Sequence, residues 1–213
     1  MGTEPIQASL FPDHPWDPWY FERRAQRKCF RRIAGVDEVG RGPLAGPVVS
    51  AAVVLPTGFL DLRITDSKRL TPRQRTALYQ HIYNHAESIG IGIVDAVEID
   101  RRNILQAALA SMAMAVANLS PRPDYLLIDG NFTIASPTAQ RAIIKGDSRS
   151  ISIAAASIVA KVTRDRMMAI YDLQYPQYGF ARHKGYPTQA HRQALTRHGC
   201  CPIHRRSFRG VAP

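Results

Sequence analysis

The stretch Ile33-Ala34-Gly35-Val36-Asp37-Glu38-Val39-Gly40-Arg41-Gly42-Pro43 constrains this chain more than any other. An apolar run ends on two adjacent carboxylates, and a Gly-Arg-Gly turn follows at once. Side chains alternate between faces along a regular strand, so Asp37 and Glu38 can serve one site only if the strand ends or bulges between them. Gly40 and Gly42 supply that freedom and leave backbone N–H groups open to close approach by a ligand. The stretch reads either as a small acidic site beside a backbone cradle or as an ordinary solvated turn between two strands. It is a poor dinucleotide fingerprint, because Pro43 and a β-rich run stand where a helix should begin. No Gly-x-x-x-x-Gly-Lys-Ser/Thr loop occurs either.

Around this stretch the pattern is that of an α/β layer. Arg32 to Val39 reads as a strand and Pro47 to Leu55 as its hairpin partner. Thr71-Pro72-Arg73-Gln74 combines an N-cap, a first-turn proline and a capping-box glutamine, and the helix should run to about Ala86. Ser88 to Glu98 alternates as a third strand, after which Asp100 could cap a helix. Ile104, Leu105, Ala108, Leu109, Met112, Val116 and Leu119 recur at three and four, and Ser120-Pro121 ends that helix. The short, wholly apolar run from Tyr125 to Ile128 marks a buried strand that ends in Asp129-Gly130. Residues 141–145 make another, ending Lys145-Gly146-Asp147. Ile151 to Leu173 is a helix whose Ala154-Ala155-Ala156-Ser157 face suits close packing on a sheet, and Thr188 to Arg197 is a last helix. The order implies a mixed sheet with helices. Strand ends are where sites collect in such sheets, and Asp37-Glu38, Asp129 and Asp147 all fall at strand ends beside glycines.

Carboxylates gathered in one cleft repel by roughly 4 kcal/mol per close pair at an effective dielectric near 20. Cations must relieve this, and an all-oxygen site suits Mg²⁺ or Mn²⁺ and not zinc. Two such ions about 3.5–4 Å apart hold a phosphate and activate a water, which is nuclease chemistry. The charge balance agrees: 28 Lys and Arg against 17 Asp and Glu give +11. Leu173 to Pro213 contains no acid, while Arg182, Lys184, Arg192, Arg197, Arg205, Arg206 and Arg209 all lie there. A second cluster runs Arg23, Arg24, Arg27, Lys28, Arg31 and Arg32. Basic faces of this strength point to a nucleic acid rather than a lipid partner.

The 213 residues suit one catalytic domain, 30–213, with a basic C-terminal segment from about 173. Residues 1–29 read as an irregular and basic N-terminal extension, with a short helix over 20–31. No apolar run spans a membrane and the N-terminus lacks a signal-peptide pattern, so the expectation is a cytoplasmic protein, monomeric by default. Cys29, Cys200 and Cys201 have neither disulfide-framework nor zinc-site spacing.

Val36-Asp37-Glu38-Val39-Gly40-Arg41-Gly42-Pro43-Leu44-Ala45-Gly46-Pro47 resembles the signature of the type II ribonucleases H, the bacterial ribonuclease HII family. Thr65-Asp66-Ser67-Lys68, Leu127-Ile128-Asp129-Gly130-Asn131, Ile144-Lys145-Gly146-Asp147-Ser148, Ala155 to Asp165, His183-Lys184-Gly185-Tyr186-Pro187-Thr188 and Ile203-His204-Arg205-Arg206-Ser207-Phe208 extend the likeness over roughly residues 30–209. The resemblance implies the ribonuclease H-like fold: a mixed sheet flanked by helices on both faces, with a C-terminal helical segment. It places four catalytic, metal-holding acids at Asp37, Glu38, Asp129 and Asp147, with two Mg²⁺ or Mn²⁺ ions at turnover. It implies that the Gly40, Arg41 and Gly42 backbone reads the 2′-OH of a ribonucleotide and that Tyr186 stacks on the next sugar. Lys68, Lys145 and Lys161 become phosphate or site-shaping contacts. The implied substrates are RNA–DNA hybrids and duplex DNA with single embedded ribonucleotides, cut to 5′-phosphate and 3′-hydroxyl ends. The chain departs from the family at Gly199-Cys200-Cys201-Pro202, where the usual run is Gly-Pro-Ser-Pro.

Asp165, among basic neighbours on a helix, reads as a solvated or salt-bridged acid, and His81 with His85 as surface residues. Two rival functions share the acids or the basic faces: a DNA nuclease of the same architecture, such as a junction resolvase, and a non-catalytic nucleic-acid binder.

Overall fold

In the computed structural model, which describes residues 17–59, 64, 67 and 70–211, the acidic stretch lies on the middle strand of a five-stranded sheet. β1 (Ile33–Val39) pairs antiparallel with β2 (Val48–Val54), and β2 with β3 (Ser88–Val94), so the expected meander forms. On its other edge β1 runs parallel to β4 (Tyr125–Asp129), which runs parallel to β5 (Ala139–Ile143). The order is β3-β2-β1-β4-β5. Parallel neighbours bring the carboxyl ends of β1 and β4 to the same edge, which places Asp37, Glu38 and Asp129 together.

Helices cover both faces. α2 (Pro72–His85) and α5 (Ile151–Gln174) pack against Ala51 and Val53 on one side. α4 (Ile104–Ala117) packs its Met112, Ala115 and Val116 against Ala34, Val36, Ala52 and Val54 on the other. The small-residue face of α5 does what its composition suggests. The helix lies on the β1 backbone so closely that a Cβ at Gly35 would sit 2.0 Å from the Ser152 carbonyl carbon. α1 (Tyr20–Gln26), α3 (Ala96–Arg102), α6 (Phe180–His183) and α7 (Gln189–His198) complete the described α-helices. Among the described residues no helix is long and apolar enough to cross a membrane.

Two local expectations are corrected. The third strand stops at Val94 and not Glu98, because the Asp95 side chain accepts the Glu98 N–H at 2.8 Å and caps α3 (Ala96–Arg102). Asp100 therefore lies inside a helix, and Asn103 caps α4 in its place, accepting from the Gln106 N–H at 3.1 Å. The Asp100 carboxylate instead accepts the Arg206 and Ser207 N–H groups and fastens the C-terminal segment to α3.

α1 is built into the core. Phe21 and Ala25 pack with Ile33, Leu127, Ile143 and Ile153. The buried Glu22 carboxylate accepts from the Ser150 hydroxyl at 2.6 Å, the Ser152 N–H at 3.1 Å and the Ser152 hydroxyl at 2.5 Å. It thereby receives the first turn of α5, the helix that supports β1. Burial pushes its pKa up, with the serine hydrogen bonds pulling the other way. Glu22→Ala leaves those serine and backbone donors without their acceptor. Its expected cost is about 2 kcal/mol, a fall in Tm of roughly 4–8 °C for a domain of this size. An unchanged Tm by calorimetry would contradict this role.

Candidate active site

Both acids of β1 sit in a regular ladder, Asp37 opposite Ala51 and Glu38 opposite Ser50, and the strand continues to Val39. It neither ends nor bulges between them, contrary to the condition read from the sequence. The parallel ladder to β4 extends only to Val36–Ile128, which leaves that edge of β1 open where the acids lie. There one carboxylate oxygen from each of Asp37, Glu38 and Asp129 comes within 4.8 Å of the other two.

Asp147 is outside this group of three. It lies buried on a 3-10 turn, Gly146–Ser148, that follows β5. The turn is nevertheless tied to the site, since the Gly146 N–H donates to Asp129 Oδ1 at 2.6 Å.

The cluster is electrostatically costly as it stands. Burial first, then the Glu38 and Asp129 charges, hold the Asp37 carboxyl well above the usual range, although the Ser157 hydroxyl and the Glu38 N–H at 2.7 Å favour its ionised form. Burial also raises Glu38. Arg41, 3.4 Å from it, acts in the opposite sense, and Asp129 adds to the rise. The Arg41 side chain is half exposed, and an ion pair of that kind contributes under about 1 kcal/mol. A hard divalent cation fits the remaining deficit, because every donor is a carboxylate oxygen and their repulsion is what such a cation relieves.

The loop after β1 is held from inside by two buried arginines. Arg205 donates from Nε to the Gly46 carbonyl at 2.9 Å and from Nη1 to Pro43 at 2.8 Å and Arg41 at 3.1 Å. Its Nη2 donates to Gly40 at 2.6 Å and Gly46 at 2.8 Å. Arg164 of α5 donates to the Pro47 carbonyl at 2.9 Å, to Ala45 at 3.1 Å and to Lys184 at 2.9 Å. Burial lowers the Arg205 pKa to about 9 and that of Arg164 to about 10, so both stay charged at neutral pH. A trans peptide sets its C=O and the next N–H in opposite directions. With the Gly40 and Arg41 carbonyls turned to Arg205, the N–H groups of Arg41 and Gly42 therefore face away from it, toward the exposed side of the loop. Gly40 has φ +100°, and a Cβ there would meet Arg164 Nε at 2.3 Å, so no other residue fits.

Tyr186 stands beside this loop. Its Cε1 lies 3.7 Å from where a Gly42 Cβ would be, and the residue is 40% exposed. The remaining expected contacts are more dispersed. Lys145 is exposed in a left-handed conformation, φ 56°. Lys161 pairs with Asp165 at 2.7 Å, which is the salt-bridged helical acid that the sequence suggests. Lys68 lies outside the described residues. His85 is exposed and its ring packs on that of His81, 4.3 Å apart. The three cysteines are free thiols.

Arg205 corrects the reading of the C-terminal segment as uniformly a basic surface. Arg182, Arg192, Arg197, Arg206 and Arg209 are exposed, but Arg205 is wholly buried. Sequence reasoning also missed Arg164. For Arg164 the available signal was its place at the end of the largely apolar run Ala154 to Thr163 of α5; Arg205, between His204 and Arg206, carried none.

The ribonuclease HII family model matches residues 34–211. A ribonuclease HII of Geobacter sulfurreducens is 57% identical over 208 residues, covering 97% of this chain and 95% of its own. One from Syntrophotalea carbinolica is 52% identical over 202 residues, covering 95% of this chain and 97% of its own. Among solved structures, the ribonuclease H2 of Pyrococcus horikoshii OT3 superposes with a TM-score of 0.73 at 27% identity, covering 85% of this chain and 95% of that one. The mixed sheet is accordingly the ribonuclease H-like fold, and the resemblance seen in the motifs extends through the whole matched length. The chain belongs to the ribonuclease HII family, the metal-dependent ribonucleases H that cleave the RNA strand of RNA–DNA hybrids.

Proposed function

We propose that this chain also cuts duplex DNA on the 5′ side of a single embedded ribonucleotide, using two divalent ions, Mg²⁺ or Mn²⁺, and leaving 5′-phosphate and 3′-hydroxyl ends. The observation that carries the reading is that Asp37, Glu38 and Asp129 each bring a carboxylate oxygen within 4.8 Å of the other two, beside a loop whose Gly40 and Arg41 carbonyls are drawn inward by Arg205. Asp37, Glu38 and Asp129 would hold metal, and Asp147 would complete the set from a turn already bonded to Asp129 through Gly146. Bound there, the ions would supply a polarised phosphate and an activated water.

The chain's own residues account for selectivity. The Arg41 and Gly42 N–H groups are suited to donate to a ribose 2′-oxygen, and the Tyr186 ring to lie against the neighbouring sugar. A deoxyribose leaves such donors unpaired, and sites built to hydrogen-bond a hydroxyl reject the analogue lacking it by about 10⁴–10⁵. The exposed arginines of the C-terminal segment, with Arg24, Arg27 and Lys28 in and just after α1, provide the attraction for phosphate that an acidic site by itself would oppose.

The test is cleavage of a labelled DNA duplex with one ribonucleotide beside its all-DNA twin, in Mg²⁺, Mn²⁺ or chelator. A metal-dependent cut on the 5′ side of the ribonucleotide, with the twin intact, is expected. Cutting of both duplexes would move the protein to a DNA nuclease. Asp129→Asn keeps an oxygen for the Gly146 N–H but removes a charge, and is expected to abolish turnover while duplex binding persists; retained turnover would refute the site. Arg205→Lys keeps the charge but cannot span the loop carbonyls. Turnover should fall about 10²-fold, as expected for a reading loop displaced by about 1 Å, and wild-type turnover in a folded variant would count against the loop's role.

A further inference from the structure

Tyr186 is held by a chain of imidazoles whose backbone contacts favour one proton order. The Cys201 N–H lies 3.0 Å from His204 Nδ1, nearer than the Cys201 carbonyl oxygen at 3.3 Å, and this shorter contact favours the tautomer with the His204 proton on Nε2. That nitrogen lies 3.1 Å from His191 Nε2, which must then accept. His191 is left with its proton on Nδ1, 3.0 Å from the Tyr186 carbonyl oxygen. The same carbonyl accepts the Thr188 N–H at 2.8 Å, so both of its lone pairs are used. Cys201, His204 and His191 thus donate in turn, each toward the next, and the Tyr186 carbonyl accepts at the end.

The surroundings fix the rings in place. His191 and His204 are buried, at 0% and 3% exposure. His183 stacks on His191 with centroids 4.5 Å apart, and its own tautomer is set by the Gly185 N–H donating to Nδ1 at 3.2 Å. Phe180 meets His191 edge-on, and Tyr178 does the same to His204. Burial lowers the His204 pKa to about 4 and lowers that of His191, so both are neutral at ordinary pH. Neutrality is what the chain requires, since an extra proton would set two N–H groups against each other across the 3.1 Å contact.

The chain also joins Tyr186 to the reading loop. His204 bridges to Ala45, Arg205 N–H donates to the Leu44 carbonyl at 2.9 Å, and Leu44 N–H donates to the Gly185 carbonyl at 2.8 Å. Adjacent residues 204 and 205 thus fix the two halves of the proposed sugar site, the Tyr186 backbone and the Gly40–Gly46 carbonyls. We propose that His191 and His204 are positioning residues for ribonucleotide recognition, acting through the Tyr186 carbonyl to set its ring against Gly42. This rests on the reading of Tyr186 as a sugar contact.

The experiment is a double-mutant cycle on the single-ribonucleotide duplex, with folding of each variant checked by circular dichroism. His191→Phe keeps a ring but neither hydrogen bond. It is expected to lower kcat by about tenfold or more, with KM changing by less than about threefold because phosphate contacts dominate duplex affinity. His191→Asn retains a donor near the Nδ1 position and should recover most of the loss. In a Tyr186→Ala background, His191→Phe should cost less than about threefold further, since coupled residues are non-additive. Full additivity would assign the histidines a merely structural role and overturn the proposal. If Tyr186→Ala itself leaves cleavage unchanged, the sugar-contact reading fails first and takes the proposal with it. Independently of activity, ¹⁵N spectra of the wild-type chain should show His204 protonated at Nε2 and His191 at Nδ1; the opposite tautomers would overturn the ordered chain.

Discussion

Buried like charge is the constraint on which this structure turns. Asp37, Glu38 and Asp129 meet because β1 and β4 are parallel neighbours whose carboxyl ends fall at one edge. Nothing in the apolar core favours that arrangement, and the raised Asp37 shows its cost. The fold tolerates it by making the support rigid. α5 lies on β1 at backbone contact over Gly35, Ser157 of the same helix hydrogen-bonds Asp37, and α1 secures the first turn of α5 through Glu22. The acids are thus fixed on regular elements, and the metal dependence of the family is the chemical counterpart of the electrostatic deficit.

A second constraint runs in the opposite sense of charge. Arg205 and Arg164 are buried cations with backbone carbonyls as their partners, an arrangement that orients a loop rather than neutralising an acid. Because each carbonyl drawn inward turns the following N–H outward, the guanidinium of Arg205 determines which face of the loop presents donors. The selectivity proposed for the site therefore originates about 160 residues away in sequence, in a segment that closes over the loop. The imidazole chain from His204 to Tyr186 belongs to the same closure.

Much of this was legible in the sequence. The capping box at Thr71 and Gln74, the apolar run ending at Asp129 and the alanine face of α5 each encode their element locally, and each forms where read. Asp37, Glu38 and Asp129 were legible because an acid after an apolar strand is a conspicuous break in pattern. α3 was missed because Asp95 and Glu98 form a cap inside what looked like a continuing strand. Arg205 was misassigned for a deeper reason: a guanidinium held by carbonyls has no charged partner in sequence to reveal it, and its local context resembles that of the exposed Arg206. The inward order of His191 and His204 is likewise a property of packing between distant segments.

Thermal unfolding of the wild-type chain and of Asp129→Asn, each in chelator and in Mn²⁺, tests most directly whether repelling carboxylates awaiting a cation form the centre of this molecule. Removing one charge should relieve the repulsion, raising the metal-free Tm by roughly 2–4 °C for about 1 kcal/mol. The stabilisation that Mn²⁺ gives the wild-type chain should largely vanish in the variant. A variant that is less stable without metal, yet still gains the full wild-type stabilisation from Mn²⁺, would contradict the account.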